Sequence, residues 1–121
     1  EQSWHPENAS GGKKRRVLVE IKSFLDEHYM EKITLDSLAA SFYIDKFYMS
    51  KIFKETYGTT INAYILSKRI TQAKKMLRFT ELSIDEIGSM VGMNDANYFS
   101  RSFKKLEGIS PSEYKRTWEN H

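Results

Sequence analysis

Apolar residues recur along this chain at intervals of three and four, the period of a helix with one buried face. Val17, Ile21, Phe24, Leu25 and His28 keep that spacing and predict an amphipathic helix over residues 14–29. Thr34 stands at the N-cap of a short helix carrying Leu35, Leu38, Ala39 and Phe42. Asp45 caps the next, whose buried stripe is Met49, Ile52 and Phe53, and Gly58 stops it. A longer helix from about Thr60 to Arg78 places Ile61, Tyr64, Ile65, Ala73, Met76 and Leu77 on one face.

The pattern then restarts. Ser83 and Glu86 have the spacing of a capping box, in which each side chain satisfies the other residue's free amide, and the helix they open carries Ile84, Ile87, Met90 and Val91. Gly92 supplies a turn, Asn94 or Asp95 caps a long helix, and Gly108 ends it. Ser110 and Glu113 form a second capping box with Pro111 at the first helical position, and the last short helix holds Tyr114 and Trp118. Both prolines lie outside helix interiors and no segment reads as a strand. The expected fold class is all-α, with about seven helices.

The restart is a repeat. A shift of fifty positions pairs Tyr48 with Tyr98, Ser50 with Ser100, Phe53 with Phe103, Lys54 with Lys104, Gly58 with Gly108 and Tyr64 with Tyr114, and sets Lys51 against Arg101. Upstream the shift is forty-nine, bringing Asp36 onto Asp85, Leu38 onto Ile87 and Ile44 onto Met93. The repeated unit is a short helix, a tight turn and a longer helix, which is the form of a helix-turn-helix. The expected organisation is a flexible linker over residues 1–12, a first helix and helix-turn-helix over 13–58, a joining helix over 59–79, and a second helix-turn-helix with a C-terminal helix over 80–121.

Composition narrows the chemistry without naming it. The 121 residues suffice for one domain or two small subdomains, and 40% hydrophobic with 29% charged residues is an ordinary soluble globular balance. A formal charge of +3 mildly favours a polyanionic partner. With no cysteine there is no disulfide and no thiolate metal site, and a reducing compartment is weakly favoured. No apolar run approaches the roughly 18–20 residues of a membrane span, and no signal peptide opens the chain. The start EQSWHPENASGG, without an initiator Met, reads as the edge of a fragment cut from a longer protein, with Trp4 as a passenger in that linker. The KKRR run at 13–16 reads as a charged helix start rather than a DNA arm, although cations there oppose the helix dipole.

Three stretches carry a family resemblance: LDSLAASFYIDKFYMSKIFKETYG in the first unit, AYILSKRITQAKKML in the joining helix, and SIDEIGSMVGMNDANYFSRSFKKLEGISPSEYKR in the second unit. Together they resemble the DNA-binding domain of the AraC/XylS family of bacterial transcription regulators, over residues 17–117. The second unit is the more specific, with its aromatic pair, Phe-Lys-Lys and Gly-x-Ser-Pro-x-x-Tyr at fixed spacing. Tyr43 departs from the pattern, standing where Gly92 stands in the second copy, so the first turn must either avoid a left-handed residue or strain to hold one. Met93 and Lys115 replace the usual Phe and Arg.

What the resemblance implies is a pair of recognition helices for double-stranded DNA, each entering a major groove. The base contacts it implies are Phe47, Ser50 and Lys51 in one helix and Ala96, Asn97, Ser100 and Arg101 in the other. Those residue types suit base reading, since Arg101 can donate twice to guanine, Asn97 can pair with adenine, and Phe47 or Ala96 can pack on a thymine methyl. Phosphates require donors rather than specificity, and Lys46, Lys54, Tyr98, Lys104 and Lys105 are the candidates, with uncapped amides at helix starts. The joining helix is basic too, through Lys68, Arg69, Lys74, Lys75 and Arg78; Arg69 reads alternatively as a structural partner of a carboxylate. At about 18–19 residues that helix would be roughly 28 Å long, near the roughly 34 Å between successive major grooves on one face of DNA, so consecutive grooves are expected. The resemblance further implies a cytoplasmic regulator with RNA polymerase as a partner of the full-length protein, and an upstream sensing, dimerisation or receiver domain.

Enzymatic function is not expected. His5, His28 and His121 are scattered, there is no Gly-rich phosphate loop and no metal-ligand spacing, and Asp85-Glu86 is explained by capping. No cofactor is implied. The competing reading is a helical protein-interaction module without DNA binding. Such a module would place apolar side chains on its exposed faces, whereas these carry Lys, Ser, Asn and Arg, with Phe47 and Tyr98 as exceptions.

Overall fold

The computed structural model describes residues 11–119. Among them run α1 (Gly11–His28), α2 (Leu35–Ser41), α3 (Lys46–Tyr57), α4 (Ile61–Phe79), α5 (Ile84–Met90), α6 (Ala96–Glu107) and α7 (Pro111–Glu119), with no strand. Helix α1 takes in Gly11, Gly12 and the KKRR run, and Trp4 lies outside the described residues. Its buried positions are Leu18, Ile21 and Leu25, while Val17 is only half-buried. Both residues fit the helical period; the face centred on Ile21 and Leu25 selects Leu18.

Local chemistry sets the boundaries. The Asp45 carboxylate accepts from the Tyr48 amide at 2.9 Å, and Asp95 accepts from the amides of Asn97 and Tyr98 at 3.0 and 3.1 Å, so Asp95 rather than Asn94 is the cap of α6. Gly58 and Gly108 close α3 and α6 in the left-handed conformation, at φ 76° and 89°. Both capping boxes form: the Glu86 amide donates to Ser83 Oγ at 3.1 Å and the Ser83 amide to Glu86 Oε1 at 2.8 Å, with Ser110 and Glu113 making the same exchange at 3.1 and 2.9 Å.

The described residues divide into two compact units, one holding α1 to His28 with Ile33–Tyr64, the other Tyr29–Lys32 with residues 65–119. In the first, the buried side chains include Leu18, Ile21, Leu25, Leu38, Ile44, Met49, Ile52, Phe53 and Ile61. In the second, Ile70, Ala73, Leu77, Ile87, Val91, Met93, Phe99 and Phe103 form one cluster, with Tyr29 and Tyr114 packed against it.

The repeat extends to the contacts. Phe53 meets Tyr64 edge-on at 5.9 Å between ring centroids, and Phe103 meets Tyr114 in the same way at 5.6 Å. In the first turn the amides of Tyr43 and Ile44 donate to the carbonyls of Ala40 and Ala39; in the second, those of Gly92 and Met93 donate to Ser89 and Gly88. Tyr43 therefore holds the left-handed conformation, at φ 55°, that Gly92 holds at 94°. A non-glycine residue bears a cost of about 1–2 kcal/mol there, and the Tyr43 side chain, 90% exposed, recovers little of it by packing. The change of offset from forty-nine to fifty is one added residue, the exposed Asn94, between Met93 and the cap Asp95.

Candidate nucleic-acid interface

Helices α3 and α6 are each twelve residues long, opened by an Asp cap and closed by a left-handed Gly. The frame fixes which faces are buried. Met49, Ile52 and Phe53 point into the first unit, and Phe99, Ser102 and Phe103 into the second. Helical spacing then turns the intervening residues outward. Phe47 is 75% exposed, Lys51 and Lys54 are exposed, and Ser50 is half-buried. On α6, Ala96, Asn97, Arg101, Lys104 and Lys105 are exposed, Tyr98 is 46% exposed and Ser100 is half-buried. The twelve residues singled out from the sequence thus lie on two outward faces, and five pairs share a register (Lys46 with Ala96, Phe47 with Asn97, Ser50 with Ser100, Lys51 with Arg101, Lys54 with Lys104), while Tyr98 and Lys105 correspond to Tyr48 and Glu55.

The charges on those faces are not equivalent. Lys46 is bound to Asp36 at 2.9 Å and its ammonium stands 5.0 Å from the centre of the Phe47 ring. Lys51 faces Glu55 one turn on, at 4.0 Å. On α6 the acid is Glu107, and it pairs with Lys74 of α4 at 3.0 Å. The amides of Tyr48, Asn97 and Tyr98 are taken by the Asp caps, which removes three donors from those available to a phosphate at the helix starts.

Most of the basic residues on α4 have partners within the second unit. Arg69 does not pair with a carboxylate as the sequence suggested. Its guanidinium donates to three main-chain carbonyls, Tyr29 at 2.6 Å, Glu31 at 2.8 Å and Gly92 at 3.3 Å, tying the segment after α1 to the turn before α6. The planar fork of Arg can serve three acceptors at once, which an ammonium cannot do in this geometry. Burial lowers the pKa of Arg69, a shift its interaction with Tyr98 opposes. Lys74 is paired with Glu107, and Arg78 stacks on Trp118 at 3.9 Å. Lys75 stays exposed. Nothing in the local sequence around Arg69 marks these partners, because they lie about 23 and 40 positions away.

Two helix-turn-helix units of this geometry define a DNA-binding domain, and comparison with known proteins gives the class. Residues 38–117 match the family described as Helix-turn-helix domain. The uncharacterized HTH-type transcriptional regulator YisR of Bacillus subtilis is 39% identical over 103 residues, 85% of this chain and 36% of YisR. The C-terminal domain of AraT, a response regulator from Geobacillus stearothermophilus, superposes with a TM-score of 0.81 at 31% identity, covering 84% of each chain. The DNA-binding domain of AdpA, solved with a target DNA, shares the fold at a TM-score of 0.81 and 23% identity, over 85% of this chain and 93% of that one. This chain belongs to the helix-turn-helix family of AraC-type DNA-binding domains of transcriptional regulators. It spans about a third of the length of YisR. Among the described residues no helix is long and apolar enough to cross a membrane.

Proposed function

We propose that α3 and α6 are both recognition helices and that one chain reads two unlike half-sites in consecutive major grooves. Base edges fall to Phe47, Ser50 and Lys51 on one helix and to Ala96, Asn97, Ser100 and Arg101 on the other. Lys46, Lys54, Tyr98, Lys104 and Lys105 hold phosphates. The carrying observation is that two equally long, identically capped helices expose polar and basic residues at the same registers while burying the same stripe. An interaction module that buries apolar surface would have no need of a cation at both Lys51 and Arg101.

In the whole regulator, on this reading, the domain follows a sensing, dimerisation or receiver domain, acts in the cytoplasm and meets RNA polymerase on the promoter; the greater length of YisR and the response-regulator character of AraT support the additional domain alone. The chain itself binds and performs no catalysis. Fluorescence anisotropy on mixed-sequence duplex tests the proposal. Counterion release requires log K to fall with log salt by about 0.9 per phosphate neutralised. Binding that is absent at low salt, or unchanged between about 50 and 200 mM, would select the protein-interaction alternative.

A further inference from the structure

The two reading helices carry the same formal charge. In α3, Lys46, Lys51 and Lys54 against Glu55 leave +2; in α6, Arg101, Lys104 and Lys105 against Glu107 also leave +2. What differs is where the acid sits. Glu107 is only 24% exposed and is turned toward Lys74, away from the outward face of its helix. Glu55 is 55% exposed and lies four residues beyond Lys51, on the stripe that runs through Phe47 and Lys51. The register that Glu55 fills in α3 is filled by Lys105 in α6. Among the described residues, Arg101 and Lys105 have no carboxylate partner, whereas Lys46 and Lys51 each have one.

We propose that Glu55 is a specificity-determining residue of the first reading helix: its carboxylate pairs with Lys51 and makes the stripe around it a poor surface for phosphate. This rests on the reading of α3 and α6 as DNA-reading helices. A phosphate facing that stripe meets a negative charge as well as a cation already engaged. A guanine acceptor for Lys51, or a cytosine amine for Glu55, meets a complementary group. Among the described residues, non-specific attraction then comes mainly from α6, where Arg101 and Lys105 have no carboxylate partner and Lys104 interacts with Glu113 of α7, whereas on α3 Lys54 alone is without an acid.

The test is the salt dependence of binding to a mixed-sequence duplex, alongside a duplex obtained by binding selection with the parent chain. Glu55→Gln is expected to bind the mixed duplex about threefold more tightly at 50 mM salt, with a log–log slope steeper by up to about 0.9. The ratio of selected to mixed affinity should fall. Lys105→Glu, which places an acid at the matching register of α6, should flatten the slope and weaken mixed-duplex binding. Glu119→Gln makes the same change of net charge on α7 and should do neither. The inference is overturned if Glu55→Gln matches the parent in slope and ratio, or if Glu119→Gln reproduces its effect. A parent chain that binds no duplex at low salt overturns the DNA reading, and the inference with it.

Discussion

Gly92 lies directly against the main chain of Met30: a side-chain carbon added at residue 92 would stand 2.5 Å from the Met30 carbonyl oxygen. No relaxation of a flexible side chain relieves that approach, because the obstacle is backbone. Gly92→Ala meets two penalties, this overlap and a φ of 94°, and should destabilise the second unit by about 2–4 kcal/mol. The matching turn residue, Tyr43, is left-handed but almost fully exposed. Tyr43→Gly trades relief of strain against greater freedom in the unfolded chain and should change stability by no more than about 1 kcal/mol. Urea unfolding followed by circular dichroism separates the two, and equal effects would remove the Met30 contact as the cause.

The carbonyl of Gly92 also receives Arg69, so the same turn is held from a second side. Arg69→Ala leaves the carbonyls of Tyr29, Glu31 and Gly92 without their donor and should cost about 2–3 kcal/mol, part of the loss being made up by water at the exposed Glu31 end. Arg69→Lys should restore less than half. Neither should alter the salt slope of DNA binding, since the guanidinium points at main chain. A variant of unchanged stability with a slope flattened by about 0.9 would instead make Arg69 a phosphate contact.

The two capping boxes predict an acid limit. The Ser83 amide holds the Glu86 carboxyl below its ordinary value of 4.5, and the Ser110 amide does the same for Glu113. A carboxyl with a lowered folded pKa stabilises the fold above its unfolded pKa, and that contribution is lost as pH falls through the folded value. The window therefore lies below pH 4.5. Carboxyl NMR titration should place both groups under 4.5, and Ser83→Ala, which keeps the amide and removes the hydroxyl that is the second cause of the shift, should move Glu86 part of the way upward while leaving Glu113 in place. A Glu86 carboxyl titrating at its ordinary value in the parent chain would mean that the box does not form in solution.

Base reading and phosphate holding should separate in mutants. Arg101→Ala is expected to relax base preference in one half of the site at a cost of about 1–3 kcal/mol. Lys75→Ala, on the exposed part of α4, should weaken all sequences alike if it acts at all. Binding selection with each variant decides the matter. An unchanged preferred sequence for Arg101→Ala would move the reading face elsewhere on α6.

Much of this protein is legible in its sequence because the signals are local. A cap and its amide are two or three residues apart, as with Asp45 and Tyr48, and a left-handed stop needs only the Gly that ends the helix. The buried stripes of α3 and α6 follow from helical period, and the duplication then exposes matched residues at matched positions. Tertiary structure decided what period and spacing leave degenerate. Val17 and Leu18 both fit an amphipathic helix, and only the core below α1 chose Leu18. Lys46 looks like a free cation until Asp36, ten residues back on another helix, is seen beside it. Arg69 reads as a surface base or a salt-bridge partner, yet its acceptors are carbonyls on segments far along the chain, and every residue type carries a carbonyl. For the same reason sequence alone accounts for Gly92 only as a turn glycine; its approach to Met30 is a backbone contact that no side-chain pattern records.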